Sequence, residues 1–267
     1  MRPADFLKIA INSTLYYLVS YLFVFLLHQA ATVLASMLFG FHLQIDYSRI
    51  IFLVSRYDWF FDSVKIIFSA GPLISLILAV LMLLVAYRYK EFTGSLKLFF
   101  IWGFVHSISV FLGSAYAGAL LSEGFGHVLI WMFMPDTGKL IITLLAMFSL
   151  VALGLAITRM FLLSANTYFN LLRPERRLAF VIAQVIIPFV AGTIFIIAIR
   201  FPMNYYELAR VLTPLIIVLT VSLSSFGVPV LYFDEDERSV KINGNLLVAA
   251  IVLYSLYRIG LHYPITI

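Results

Sequence analysis

Between Ile9 and Ile45 the chain reads IAINSTLYYLVSYLFVFLLHQAATVLASMLFGFHLQI, thirty-seven residues without an Asp, Glu, Lys or Arg. A bilayer core about 30 Å thick is crossed by about 20 apolar residues of helix. The run therefore holds one span with flanking or bent chain to spare. It is far longer than the roughly 7–15-residue apolar core of a signal peptide, and no small-x-small cleavage site follows a short core. It is expected to be a retained transmembrane helix.

Further charge-free stretches follow at Ile66–Tyr87, Leu98–Ser122, Leu140–Thr158, Leu178–Ile199, Val211–Phe233 and Ile242–Tyr257. The last is 16 residues long and spans only if Arg258 snorkels to the headgroups. Gly124–Pro135 is too short to cross and is expected to be an interfacial or re-entrant segment, with Trp131 at headgroup level. Composition agrees: of 267 residues 63% are hydrophobic and 12% charged, with a mean hydropathy of +1.04. Soluble domains are about 45–50% apolar and about 25% charged. Soluble enzymes, nucleic-acid modules and disordered chains are excluded. Because lipid leaves backbone groups without partners, the expected fold is an all-α polytopic integral membrane protein. It is a bundle of six to seven transmembrane helices, with a small β-hairpin in the β-prone stretch 41–54.

There is no cysteine, which removes disulfides, thiolate metal sites and cysteine nucleophiles. The net charge of +5 suits loops facing anionic lipid. Expected partners are membrane lipids and other membrane protein subunits, not nucleic acid. The expected location is a bacterial inner (cytoplasmic) membrane. Segments on the N-terminal side of the spans carry eleven Lys/Arg against seven opposite, which favours a cytoplasmic N-terminus. Polar residues and the cluster Arg173-Pro-Glu-Arg-Arg177 divide the chain into a four-helix core, 1–165, and a three-helix extension, 166–267. Arg173, Arg176 and Arg177 are expected at lipid headgroups or against a partner. The acidic run Asp234–Arg238 reads as a solvated turn.

Ionisable groups at bilayer depth are costly and mark functional candidates. His28 and His106 each lie in the middle of a stretch, and a lipid-facing imidazole would lack a partner, so both are expected to face the bundle interior. Each either ties helices together by hydrogen bonding or ligates a metal. No carboxylate or thiol shares their spans, so no metal and no cofactor is expected. Pro72, Pro188, Pro214 and Pro229 are expected to bend helices. Gly113, Ala117, Gly118 and the cluster Ala152, Gly154, Ala156 are expected to bring helices close.

Leu26-Leu-His28-Gln29-Ala-Ala-Thr32, Gly40 twelve residues after the histidine, the β-prone stretch, and Phe68-Ser-Ala-Gly71-Pro72-Leu-Ile-Ser75 form a set. Together they resemble the site-2 protease family of intramembrane zinc metalloproteases, over roughly residues 20–135. That family carries a His-Glu-x-x-His helix, a glycine about twelve residues on, membrane-associated strands, and an Ala-Gly-Pro-Leu-Ala-Asn helix. A later helix supplies an Asp as third zinc ligand. Here Gln29 stands for the general-base Glu, Thr32 for the second zinc histidine and Ser75 for the Asn, and the third stretch contains no Asp. An amide cannot take a proton from zinc-bound water, and zinc catalysis needs about three ligands. The resemblance implies a pseudoprotease: a non-catalytic structural, scaffolding or client-binding subunit, in which His28, Gln29, Thr32, Gly71, Pro72 and Ser75 are motif remnants. The alternatives are an active protease using His28, His106 and one of Glu123, His127 or Asp136, or a small-molecule transporter. In bacterial members the loop after the histidine helix faces the cytoplasm, which would place the N-terminus outside, against the charge count.

Overall fold

The computed structural model describes residues 2–233 and 239–267. The acidic run Asp234–Arg238 lies outside them. The chain opens with α1 (Pro3–Met37), started by a proline whose missing N–H has no helical partner to lose. Its 35 residues give a helix about 52 Å long at about 1.5 Å per residue. Gly40, at φ +67°, takes the left-handed turn that ends it, and the Phe41 N–H donates to the Ser36 carbonyl at 3.1 Å.

Strands β1 (Leu43–Ile45) and β2 (Ile50–Phe52) pair antiparallel, with Leu43 opposite Phe52. Their turn is closed by Asp46, whose Oδ1 accepts the N–H groups of Ser48 and Arg49 and the Ser48 hydroxyl at 2.6–2.8 Å. Partial burial pushes the Asp46 pKa up. The Ser48 hydroxyl and the two N–H groups outweigh it and hold the carboxyl below its ordinary value. The expected hairpin is therefore present.

Next come α2 (Phe61–Arg88), α3 (Lys97–Leu121), the short α4 (Gly126–Trp131) and α5 (Asp136–Thr167, ending in a 3-10 turn). After β3 (Leu171–Leu172) come α6 (Pro174–Arg200) and α7 (Tyr205–Gly227). The chain ends in β4 (Leu231–Tyr232), α8 (Gly244–Gly260) and β5 (Ile265–Thr266). Six helices, α1, α2, α3, α5, α6 and α7, are long and apolar enough to cross a membrane. Their ends alternate between two faces. The β3–β4 pair, Leu171 opposite Tyr232, lies on the N-terminal face. The hairpin face carries β1 and β2, and β5 adds to β1 with Gln44 opposite Thr266.

Helix α8 has only 17 residues, about 25 Å, yet it joins the two faces. Near its start the Asn243 N–H donates to Asn12 Oδ1 at 2.9 Å, and Asn12 Nδ2 donates to the Lys241 carbonyl at 2.8 Å. Further on, the Tyr254 hydroxyl donates to the Leu18 carbonyl, and Tyr257 to the Tyr47 carbonyl of the hairpin turn. The 16-residue stretch thus forms a shorter apolar helix tied to α1 and the hairpin, in addition to the six long enough to cross.

Helix α3 is the most enclosed of the six long helices and α5 among the most exposed, which puts α3 at the centre. Its Trp102 and His106 meet Tyr17 of α1 edge-on, with centroids at 4.9 and 4.3 Å, and Trp102 meets Phe161 of α5 at 5.0 Å. Pro188 has no N–H to give the Gln184 carbonyl, and α6 carries a π-turn over Ile182–Ile186 just before it. Ser13 Oγ donates to that carbonyl at 2.7 Å, and Trp102 Nε1 donates to Ser13 Oγ at 3.0 Å. One freed carbonyl thereby ties α1, α3 and α6 together.

The expected boundary at 165/166 is a turn but not a division of the core. A single buried cluster runs from Ile9 to Tyr257 through both halves, because α6 and α8 pack on α1 and α7 packs on α5. Arg177 does not stand out toward headgroups. It is buried, and its guanidinium donates to the carbonyls of Ser225, Phe226 and Pro229, where α7 runs out. Arg173 and Arg176 are exposed. The small residues do bring helices close: Gly113 faces Thr213, Gly154 faces Thr220, and Gly118 faces Gly126 of α4.

A Cβ on Gly126 would stand 2.2 Å from the Gly118 carbonyl oxygen, a backbone atom that cannot swing aside. Gly126→Ala is expected to destabilise the protein by about 1–3 kcal/mol, read as a lower thermal unfolding midpoint in detergent. An unchanged midpoint would mean that α4 is not seated on α3.

Candidate functional site

Near the hairpin face, α1 and α2 meet at His28. A Cβ on Gly71 would fall 2.4 Å from the imidazole, so only glycine lets the ring lie against α2. Ser75, one turn on, gives its proton to the Gly71 carbonyl at 2.9 Å, which leaves its oxygen to accept. His28 Nδ1 lies 3.3 Å from that oxygen, and His28 Nε2 lies 2.9 Å from Arg210 Nη2 on α7. A guanidinium has no lone pair to offer, so Nε2 accepts. The imidazole is therefore neutral, with its proton on Nδ1 directed at Ser75.

Arg210 belongs to a charged group that spans the ends of α6 and α7. Asn204 caps α7 by accepting the Glu207 N–H at 2.9 Å. That places Glu207 in the first turn, where the helix dipole favours a carboxylate. Its two oxygens accept from Arg210 Nη1 at 2.6 Å and from Arg200 Nη2 at 3.0 Å. Arg200, almost wholly buried, also donates to the Tyr21 hydroxyl at 2.7 Å and to the Ser48 carbonyl at 2.8 Å. Its guanidinium lies 4.1 Å from the centroid of the Phe25 ring. The group thus joins α1, α2, the hairpin, α6 and α7.

A cavity of about 440 Å³ opens beside it. It is lined from α1 by His28, Gln29 and Thr32, from α2 by Phe68 and Pro72, and from the hairpin by Arg49, Ile50 and Phe52. Glu123, His127, Asn204, Glu207 and Arg210 complete the wall. The Thr32 hydroxyl turns back onto the His28 carbonyl at 3.2 Å. Glu123 accepts from Asn204 Nδ2 at 3.1 Å. His127 packs on Phe68, with centroids 4.9 Å apart. Partial burial lowers the His127 pKa against the upward pull of Glu123.

The residues named from sequence are not all in one place. His28, Gln29, Thr32 and Pro72 line this cavity, and Gly71 and Ser75 lie against the His28 ring. His106 is buried in the bundle interior, as is His28, but its Nε2–H donates to the Tyr17 carbonyl at 3.1 Å. It does not line the cavity that His28 shares with Glu123 and His127. Asp136 is exposed in the first turn of α5 and pairs with Lys139. Among the described residues no group of three His, Cys, Asp or Glu could hold a metal ion.

Arg200, Glu207 and Arg210 were not among the sequence candidates, because stretches defined by absence of charge stop at Ile199 and resume at Val211. The signal lay in Asn204-Tyr-Tyr-Glu207-Leu-Ala-Arg210, a helix-start pattern with a carboxylate and a guanidinium three residues apart. No protein-family model, curated protein or solved structure matches this chain.

Removing the carboxylate leaves two buried guanidiniums facing one another. Glu207→Ala is expected to cost about 3–5 kcal/mol, measured by thermal or denaturant unfolding of detergent-purified protein. A loss of less than about 1 kcal/mol would place the group at the value of an exposed surface pair.

Proposed function

We propose that this chain is a non-catalytic integral membrane protein, resembling a site-2 protease that has lost its chemistry, and that it binds a client or subunit at the cavity on the hairpin face. Membrane insertion is supported by the six long apolar helices and by the side chains they turn outward, among them Leu73, Ile77, Leu144, Phe148, Ile194 and Leu219. A bacterial inner membrane is the location implied by the resemblance.

The Arg210–His28 bond carries the non-catalytic reading. A zinc-ligating imidazole presents a nitrogen lone pair to the metal. Here the Nε2 lone pair is held by a cationic donor at 2.9 Å, and Nδ1 is turned to Ser75. A metal ion at Nε2 would have to displace the guanidinium and would meet its positive charge. Gln29 offers no carboxylate to activate water, and the Thr32 hydroxyl is engaged on its own helix. Binding, in contrast, needs only a shaped space with mixed lining. The cavity offers an apolar side at Ile50, Phe52, Phe68 and Pro72 and a polar side at Gln29, Arg49, Glu123 and Asn204.

Protein purified without chelator is expected to carry no stoichiometric zinc and to cleave no membrane substrate, and the double variant Gln29→Glu, Thr32→His is expected to gain neither. Elemental analysis decides the point: one zinc per chain, lost together with proteolysis on His28→Ala, would identify a working enzyme. Binding is tested by purification in mild detergent with a photo-crosslinking residue at Thr32. A single membrane protein recovered in stoichiometric amount and crosslinked there is expected, and crosslinking to lipid alone would refute the client reading.

A further inference from the structure

A second, much smaller space lies on the other side of the charged group. It measures about 20 Å³ and is lined by Tyr21, His106, Ser109, Arg200, Glu207 and Arg210 among others. That is room for one water-sized body. The donors around it are notable for what they leave unused. Arg200 and Arg210 place their Nη groups on Tyr21, Ser48, Glu207 and His28, and among the described residues neither buried Nε–H has an acceptor within hydrogen-bond geometry. Ser109 Oγ is likewise buried without a partner. The Tyr21 hydroxyl accepts from Arg200, so its own proton is free to be donated.

Charge decides what suits the space. Two guanidiniums, always protonated, face one carboxylate. His28 adds nothing, because the bond from Arg210 requires its Nε2 to be unprotonated. The group therefore carries one uncompensated positive charge on residues that are 1% and 7% exposed. Among the described residues no other carboxylate is paired with either guanidinium: Asp46 accepts from Ser48 and Arg49 of its own turn, and Glu123 from Asn204. A buried unpaired charge is far more costly than a paired one. The Glu207 carboxylate also lines the space and repels an anion, but both its oxygens are already held by the two guanidiniums.

We propose that this small cavity is a binding site for one monovalent anion of the halide class, held by the Nε–H groups of Arg200 and Arg210 with the hydroxyls of Ser109 and Tyr21. Four donors, a net positive charge and single-atom dimensions suit a chloride ion. They exclude larger anions such as phosphate or a carboxylate.

The test compares thermal unfolding of the intact, detergent-purified protein in sodium chloride and in sodium gluconate at equal ionic strength. A ligand that binds only the folded state raises the midpoint with concentration. The midpoint is expected to rise saturably with chloride, and bromide is expected to replace chloride and to give an anomalous diffraction peak between Ser109 and the two arginines. Ser109→Ala removes a donor that has no protein partner, so the variant keeps its fold. It is expected to weaken the apparent halide affinity by about tenfold or more, the loss of one hydrogen bond to a charged group. Equal midpoints in the two salts, a halide effect unchanged by Ser109→Ala, or bromide peaks confined to the surface would each overturn the proposal in favour of a water molecule.

Discussion

The Glu207 carboxylate holds together two guanidiniums that would otherwise repel one another inside the protein. Everything at the hairpin end of the bundle is arranged around that fact. Arg200 reaches through Tyr21 to α1 and through the Ser48 carbonyl to the hairpin, while Arg210 reaches through His28 to α1 and α2. A salt bridge of this kind adds little net stability over a well-packed apolar core, since desolvation offsets most of the attraction. It does fix geometry. The ends of α6 and α7 cannot slide relative to α1 without exposing a charge to apolar surroundings. The same group forms the wall between the large cavity and the small one, so the two spaces share Glu207 and Arg210.

At the other end α1 is held by neutral polar groups. Asn12, Ser13 and Tyr17 bond in turn to the chain before α8, to the π-turn of α6 and to Thr193 further along α6. Apolar helices in lipid have no hydrophobic reason to choose one neighbour over another, so close packing and hydrogen bonds set the arrangement. Along α1 those bonds point to α2, α3, α6, α7 and α8. Gly192 makes the same point sterically, since any side chain there would enter the Tyr17 ring.

The helical bundle could be read from sequence because bilayer thickness imposes a length on every crossing, and six stretches met it. The hairpin could be read from its alternation. The meeting of His28, Gly71 and Ser75 was implied only by the family resemblance of two short segments. What could not be read was long-range pairing. Arg200 and Glu207 are separated by a loop, and Arg210 finds His28 across 182 positions of sequence. A rule that treats every charge as the end of a span places such residues outside the bundle, although a charge with a buried partner belongs within it. Arg177 was misplaced for the same reason, because its carbonyl partners lie at and just beyond the end of a different helix. The two-residue strand β5 has no sequence pattern to betray it.

Helix α8 imposes an order on biosynthesis. Asn12 and the Leu18 carbonyl lie in α1, made before the other described helices, yet their partners are Lys241, Asn243 and Tyr254. Until those residues leave the ribosome, one flank of α1 carries polar groups with only lipid, water or a transient protein beside them. Contacts separated by more than 220 positions close late. The nascent chain is therefore open along that flank through most of its synthesis. In the finished protein α8 covers that side of the helix.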